Sequence, residues 1–389
     1  MSGSTAPAPP GTGPGVWSSL VGQHAAVATL QRAAGGQGMT HAWLFTGPPG
    51  SGRSNAAIAF AAALQCERGG CGECHACQTV LAGSHADVSV TRTETAVIKV
   101  DGIRELVMRS ALAPVGHRFQ VMIVEDADRL NDSSGNALLK AIEEPTPRTV
   151  WLLCAPTVED VLPTIRSRCR SVVLSTPSTA DVAAFLTARH GVDPGVASFA
   201  ARASQGHIGR AKALAVDEGT RNRRREVVTI PMGLTSLGAC MNAAANLVDI
   251  AKVETEAVGE QVNTRERAEL EAVFGSDRKA KTSRSYRAAL SQLAESQKQR
   301  GKRRTLDVID RCLTDLVSVY RDVIALQLGA PGELVNEEMR RELADLARTS
   351  PPEQSLRRID AVFGARERML EFQVPPLLAL ESMMVALRR

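Results

Sequence analysis

A glycine-rich stretch, Gly47-Pro48-Pro49-Gly50-Ser51-Gly52-Arg53-Ser54, lies between the apolar run Ala42-Trp43-Leu44-Phe45 and the alanine-rich segment Asn55 to Leu64. The order strand, glycine loop, helix is the context in which G-x-x-x-x-G-K-[ST] acts as a phosphate-binding P-loop. Glycines let successive backbone N–H groups close on a phosphate, and the helix N-terminus adds a favourable dipole. One residue departs from the pattern. Arg53 stands where lysine is needed, and a planar, forked guanidinium does not replace a compact ammonium in that cradle. Loss of one well-placed electrostatic group costs roughly 3–4 kcal/mol of transition-state stabilisation. The loop therefore reads as built for phosphate and disarmed for chemistry.

Two further stretches belong with it. Gln120-Val121-Met122-Ile123-Val124 reads as a buried strand that ends in Glu125-Asp126. An apolar strand closed by two carboxylates is a Walker B arrangement, one acid for Mg2+ and the next for water. The usual order, Asp then Glu, is reversed, so each side chain is one methylene wrong for its task. Thr149 to Cys154 is another strand, and Ala155-Pro156 at its end offers no polar side chain to a γ-phosphate. ATP and Mg2+ binding in this chain's own site is left open.

Cys66, Cys71, Cys74 and Cys77 follow the spacing C-x4-C-x2-C-x2-C on a glycine-bearing loop. Four thiolates so placed can close a tetrahedron around zinc and leave no open position, which makes the metal structural. C-x4-C-x2-C also opens a ferredoxin iron–sulfur spacing, but that pattern needs a distant fourth cysteine. The other four cysteines are scattered, so the usage is that of a metal site in a reducing compartment, not a disulfide framework.

The alternation of strands and helices over residues 16–175 predicts a parallel α/β domain that carries the cysteine loop, 66–77, as an insert. The break at Ser175-Thr176-Pro177-Ser178 ends it. Three short helices over 176–216 form a small helical lid, and 217–389 reads as all-α. Leu306, Ile309, Leu313, Leu316 and Tyr320 share one stripe, and a last helix starts at Pro375-Pro376. Residues 275–304 are polar and basic; with Arg221 to Arg225 they offer a DNA-backbone contact, against the plainer reading of a solvated helical face or loop. Residues 1–15 read as a disordered tail, with neither the basic start nor the apolar core of a signal peptide. A net charge of +4 and 3% aromatic residues argue against a base-stacking platform for single strands. No stretch is apolar enough to span a bilayer.

Leu20-Val21-Gly22-Gln23, the glycine loop, the cysteine cluster, Asn136-Ala137-Leu138-Leu139-Lys140 with Glu143-Glu144-Pro145, and Ser167-Arg168-Cys169 occur in that order. This order resembles the bacterial AAA+ clamp-loader subunits of DNA polymerase III, in particular the delta-prime type, over about residues 17–215. The cysteine spacing departs from the family's module, whose first gap is longer. The resemblance implies an AAA+ α/β domain, the helical lid and an α-helical collar over 217–389 that holds a five-membered ring together. Its implied partners are gamma/tau-type motor subunits and a delta subunit, with the sliding clamp and primed DNA engaged through the assembly. It implies a component of the DNA polymerase III holoenzyme, a nucleotidyltransferase assembly, in the cytoplasm at the nucleoid-associated replisome. Arg168, with Ser167 and Cys169, matches an arginine finger delivered in trans to a neighbour's ATP. Arg210 matches a lid arginine that senses a subunit's own nucleotide. Subunits of this type commonly lack ATPase activity. Two other functions compete: an active motor in which Arg53 still serves, and a zinc-dependent DNA-binding protein.

Overall fold

The computed structural model describes residues 15–92, 97–116, 118–274 and 284–389. Five strands form one parallel sheet in the order β2-β3-β4-β1-β5. They are β1 (Ala42–Thr46), β2 (Val88–Thr91), β3 (Gln120–Val124), β4 (Thr149–Ala155) and β5 (Arg170–Val173). Every residue of β1, β3 and β4 is buried. Unbroken apolar runs are what a parallel sheet covered on both faces demands. Thr46 at the end of β1 registers with Ala155 of β4 and Val173 of β5. The C-terminal ends of these strands therefore share one edge of the sheet.

Helix α1 spans His24–Ala34 and α2 spans Arg53–Gln65. The alanines of α2 are almost all buried, and their small size lets the helix lie close on the sheet. Phe60 of α2 meets Trp43 edge-on at 5.1 Å and Phe45 at 6.5 Å. A short helix that the sequence reading left inside the cysteine loop, α3 (His75–Leu81), begins with the Sγ of Cys74 accepting from the Cys77 N–H. After α4 (Val100–Ser110), α5 (Asp132–Glu143) begins four residues before Asn136. Asn131 caps it: its side chain accepts from the Ser134 N–H, and the Ser134 hydroxyl accepts from the Asn131 N–H.

The one-turn helix α6 (Pro163–Arg166) precedes β5. Helices α7 (Thr179–His190), α8 (Pro194–Ser204) and α9 (Ile208–Val216) share a small core around Leu186, Ala200 and Leu214. Val21, from the lead-in, joins that core. The chain divides into two compact units at Val216/Asp217. Residues 1–14 of the expected tail lie outside the described residues. Gly15 itself opens a 3-10 turn, Gly15–Ser19, whose Val16 N–H donates to the Gly70 carbonyl at 3.0 Å.

Among its described residues the second unit is helical: α10 (Glu218–Gly233), α11 (Leu237–Phe274), α12 (Arg284–Gln327), α13 (Arg340–Arg348), α14 (Pro352–Leu370) and α15 (Pro376–Leu387), with a short 3-10 turn at Glu337–Met339. Ile309, Leu313, Leu316 and Tyr320 are buried in its core, with Leu380 and Met384. The basic segment is helix where described: residues 284–304 are the first half of α12, and 275–283 lie outside the described residues. A buried ion pair, Arg224 to Asp315 at 3.1 Å, links α10 to α12.

Phe60 is the side chain that seats the P-loop helix on the sheet. Phe60→Ala should cost about 3–5 kcal/mol of unfolding free energy, read by urea unfolding followed through tryptophan fluorescence. A loss below about 1 kcal/mol would mean that α2 is held by other contacts.

Candidate functional site

The P-loop joins β1 to α2 at the C-terminal edge of the sheet. Glu125-Asp126 leave β3 at the same edge, and Ala155-Pro156 leave β4 there. Ligands in open parallel sheets bind at this edge, so the topology gathers the P-loop and the two strand ends where such a ligand would sit. Gly47 and Gly50 are required by close approach. A Cβ on Gly47 would lie 2.4 Å from the Leu174 carbonyl, and one on Gly50 would lie 2.3 Å from Cγ of His207. Gly50 also has φ +84°, a left-handed backbone that side chains resist. Gly52, the N-cap of α2, is left-handed too, and Ser54 lies in the first turn.

The cradle is partly turned upon itself. Arg53 does not extend outward: its Nη1 donates to the Gly47 carbonyl at 2.8 Å. The Gly47 N–H donates to the Pro156 carbonyl at 3.0 Å. Glu125 pairs with Arg92 at 3.0 Å. Burial raises the Glu125 carboxyl above its ordinary range, and the Arg92 charge opposes that. Asp126 begins a short 3-10 turn, Ala127–Arg129, at the strand end. Two buried polar atoms of the site are left over, Glu125 Oε1 and the Ser51 hydroxyl. The Ser51 hydroxyl is 2% exposed and has no hydrogen-bond partner among the described residues. A buried hydroxyl of this kind fits a loop with room for a further acceptor.

Two residues outside the loop hold it, Gln23 and His207. Gln23 is buried; its amide donates to the Ser175 carbonyl at 2.7 Å and the Ser51 carbonyl at 3.4 Å. Its side-chain oxygen accepts from the Ser175 N–H at 3.1 Å. Gln23 therefore ties the loop to the chain leaving β5. His207 packs against Gly50, and its Nδ1 accepts from the Arg210 N–H at 3.2 Å. This hydrogen bond fixes the first turn of α9, on which Arg210 stands. Nothing in a sequence pattern marks the contacts of Gln23 and His207 with the loop, because they join segments far apart in the chain.

Ser167-Arg168-Cys169 precede β5 and so lie at the opposite, N-terminal edge of the sheet. Arg168 is five residues before Val173, which registers with Thr46 at the foot of the P-loop. Arg168 and Cys169 lie in the turn before β5, and the strand alone spans about 10 Å at ~3.3 Å per residue, beyond the reach of an arginine side chain. Arg168 is 40% exposed. It meets Glu143 at 2.7 Å, the Thr164 carbonyl at 2.8 Å and the Ser167 hydroxyl at 3.1 Å. Glu143 ends α5, the helix whose sequence was part of the family pattern. Cys169 packs beneath it against the sheet core, and burial pushes its thiol up to about 12.

The four clustered cysteines converge. Their sulfurs all lie within 4.8 Å of one another; Cys66 is 3.6 Å from Cys71 and 3.7 Å from Cys74. A tetrahedron with Zn–S bonds of about 2.3 Å has edges of about 3.8 Å. The set therefore fits one tetrahedral ion, and it is too tight to surround a cluster of several irons. N–H groups of Cys71, Cys74 and Cys77 point at the preceding sulfurs at 3.4–3.5 Å. Burial raises the Cys66 thiol, but backbone N–H groups outweigh it and hold the thiol down at about 6. His75 is exposed and stands outside the cluster.

Residues 22–178 match the family model described as DNA polymerase III, delta subunit. The DNA polymerase III subunit delta' of Pseudomonas aeruginosa is 42% identical over 147 residues, 36% of this chain and 44% of that one. The gamma/tau subunit of Mycobacterium bovis is 36% identical over 160 residues, 40% of this chain and 28% of that one. The alignments span less than half the length of these relatives. A solved gamma subunit-related protein of Thermotoga maritima is 17% identical, with a TM-score of 0.35 over 75% of this chain and 98% of that one. Over residues 22–178, the P-loop module, the chain is similar to clamp-loader subunits of DNA polymerase III.

Proposed function

We propose that this chain is a delta-prime-type subunit of the replicative clamp loader, silent in its own site, that lends Arg168 to a neighbour. The observation that carries this reading is the position of Arg168 at the sheet edge away from its own P-loop. A finger there serves only a nucleotide held by another subunit. Glu143, Thr164 and Ser167 hold the guanidinium in place, so little rotamer freedom remains to be lost when it meets a phosphate. Its exchange of Glu143 for a phosphoryl oxygen would stabilise charge on the transferred group. The partners would be gamma/tau-type motors and a delta subunit in a five-membered ring, acting with a sliding clamp on primed DNA. The helices of 217–389 would be the collar.

Silence in its own site is supported by three independent departures. Arg53 is engaged with the loop's own carbonyl, Glu125 is paired with Arg92, and Ala155-Pro156 present no polar side chain. Nucleotide binding without turnover stays compatible with the orphaned Ser51 hydroxyl. The four cysteines would hold a structural zinc. That loop also receives the lead-in: Trp17 Nε1 donates to the Gly69 carbonyl at 3.1 Å. Metal there would tie residues 15–19 to the end of α2 and leave the neighbour's chemistry untouched.

Arg168→Ala in a reconstituted loader should assemble normally and lower DNA- and clamp-stimulated ATP hydrolysis about 10³-fold or more at the site it serves. Unchanged hydrolysis by the mutant loader would remove the finger role. The isolated chain should release no phosphate from ATP above background, and Arg53→Lys should not restore turnover, because Glu125 and Ala155 are unchanged. Turnover by the wild type that disappears in Arg53→Ala would establish the active motor instead. Elemental analysis of freshly purified protein should find one zinc per chain. Cys74→Ser should lose it and lower Tm by more than about 5 °C, near 2 kcal/mol for a unit of this size. A metal-free wild type would refute the zinc assignment.

A further inference from the structure

Beyond the core of the second unit, α11 and α12 continue side by side as an antiparallel arm. None of the described residues 252–274 or 284–307 joins the unit's hydrophobic core. The arm is held by polar contacts: Arg300 with Glu266, and the Gln297 amide donating to the Asn263 carbonyl at 3.2 Å and Glu266 at 3.1 Å. Phe274 and Tyr286 close it edge-to-face at 5.6 Å. The charges are distributed unequally. Between Arg284 and Arg304 there are seven cations and one carboxylate, Glu295. Arg300 is directed inward and Arg303 pairs with Asp307 at 3.2 Å. Arg284, Arg287, Lys298 and Lys302 are exposed and form no ion pair with a described residue.

These four lie on one stripe. At about 100° per residue they fall roughly 80–140° around the helix from Gln297, the side chain buried against α11, all on the same side. At 1.5 Å per residue the stripe is about 27 Å long. Glu295 is hydrogen-bonded to Gln299 at 2.7 Å. The exposed acids Glu256, Glu260, Glu269 and Glu271 belong to the other helix.

We propose that this stripe is a docking surface for the phosphate backbone of duplex DNA. A row of exposed cations along one face of a helix, without ion-pair partners among the described residues, complements a duplex, which carries one charge per about 1.7 Å of axis. The described arm has no exposed aromatic side chain, and a surface for single strands needs such stacking platforms. The binding is therefore backbone-directed and indifferent to sequence. The inference draws on the clamp-loader reading only for the presence of duplex DNA near the protein, and it concerns the isolated chain.

The test is fluorescence anisotropy of a labelled duplex titrated with full-length protein at several salt concentrations. Four phosphate contacts give a log–log salt slope near −3.6, or about 150-fold weaker binding between 50 and 200 mM. Replacing Arg284, Arg287, Lys298 and Lys302 with Gln should weaken binding at least tenfold at low salt and flatten the slope by about the full amount. Each pair alone, Arg284→Gln with Arg287→Gln or Lys298→Gln with Lys302→Gln, should flatten it by about half, which keeps the test informative if the quadruple variant misfolds. Arg284→Lys with Arg287→Lys should bind as wild type. Equal loss on neutralising Arg104, Arg109, Arg348 and Arg357, exposed elsewhere, would reduce the effect to net charge and overturn the proposal. So would no duplex binding by the wild type, or preferential binding of polyglutamate at matched charge, which would point to an acidic protein partner. The loader assay with Arg168→Ala reports on the clamp-loader reading and leaves the arm unchanged, so the two failures are separable.

Discussion

All five strands run the same way, and that polarity governs what each loop can do. Connections leaving the strands gather at one edge, and connections entering them gather at the other. The glycine loop, Glu125-Asp126 and Ala155-Pro156 all leave strands, so they meet. Ser167-Arg168-Cys169 enter β5, so they do not meet the loop, although β5 lies beside β1. A short strand thus separates a phosphate cradle from an arginine by more than a side chain's length. The glycine loop and Arg168 therefore face opposite edges of one sheet.

At the edge that holds the glycine loop, polar side chains contact the chain itself. The arginine that stands for lysine caps the loop's own carbonyl, and a strand-end carboxylate faces Arg92. His207 rests on Gly50, a contact possible only because Gly50 has no side chain. Gln23 bridges the loop to Ser175. These interactions tie the P-loop to α9 and to the chain leaving β5. The cysteine loop stiffens the other end of α2, where its carbonyls receive the lead-in.

Strand positions were legible because a doubly covered strand is uniformly apolar and its ends are sharp. Gln120 to Val124 is strand over the full predicted run. Helix starts were less so. α5 begins four residues before the apolar pattern does, because Asn131 and Ser134 satisfy each other's backbone groups, and caps are polar. α12 carries a readable stripe only in its apolar half, and the basic half reads equally as a solvated helical face or a loop. Its basic half has no hydrophobic stripe to announce it, and Arg300, Gln297 and Glu266 stabilise it across the arm instead. α3 was hidden because cysteine spacing suggests a loop, whereas Cys74 also serves as a cap.

What the sequence determined by itself was chemical identity: a phosphate loop lacking its lysine, four thiols at metal spacing, reversed acids, and an arginine in a Ser-Arg-Cys frame. Those follow from residue type and short-range spacing, which the chain carries in one dimension. The tertiary structure decided direction and partnership. It turned Arg53 onto Gly47, set Arg168 on Glu143 at the far edge, drew four sulfurs to the spacing of a single ion, and left one stripe of the arm unpaired. Each of these depends on which segments the parallel sheet and the helical hairpin bring together, and no local pattern encodes that.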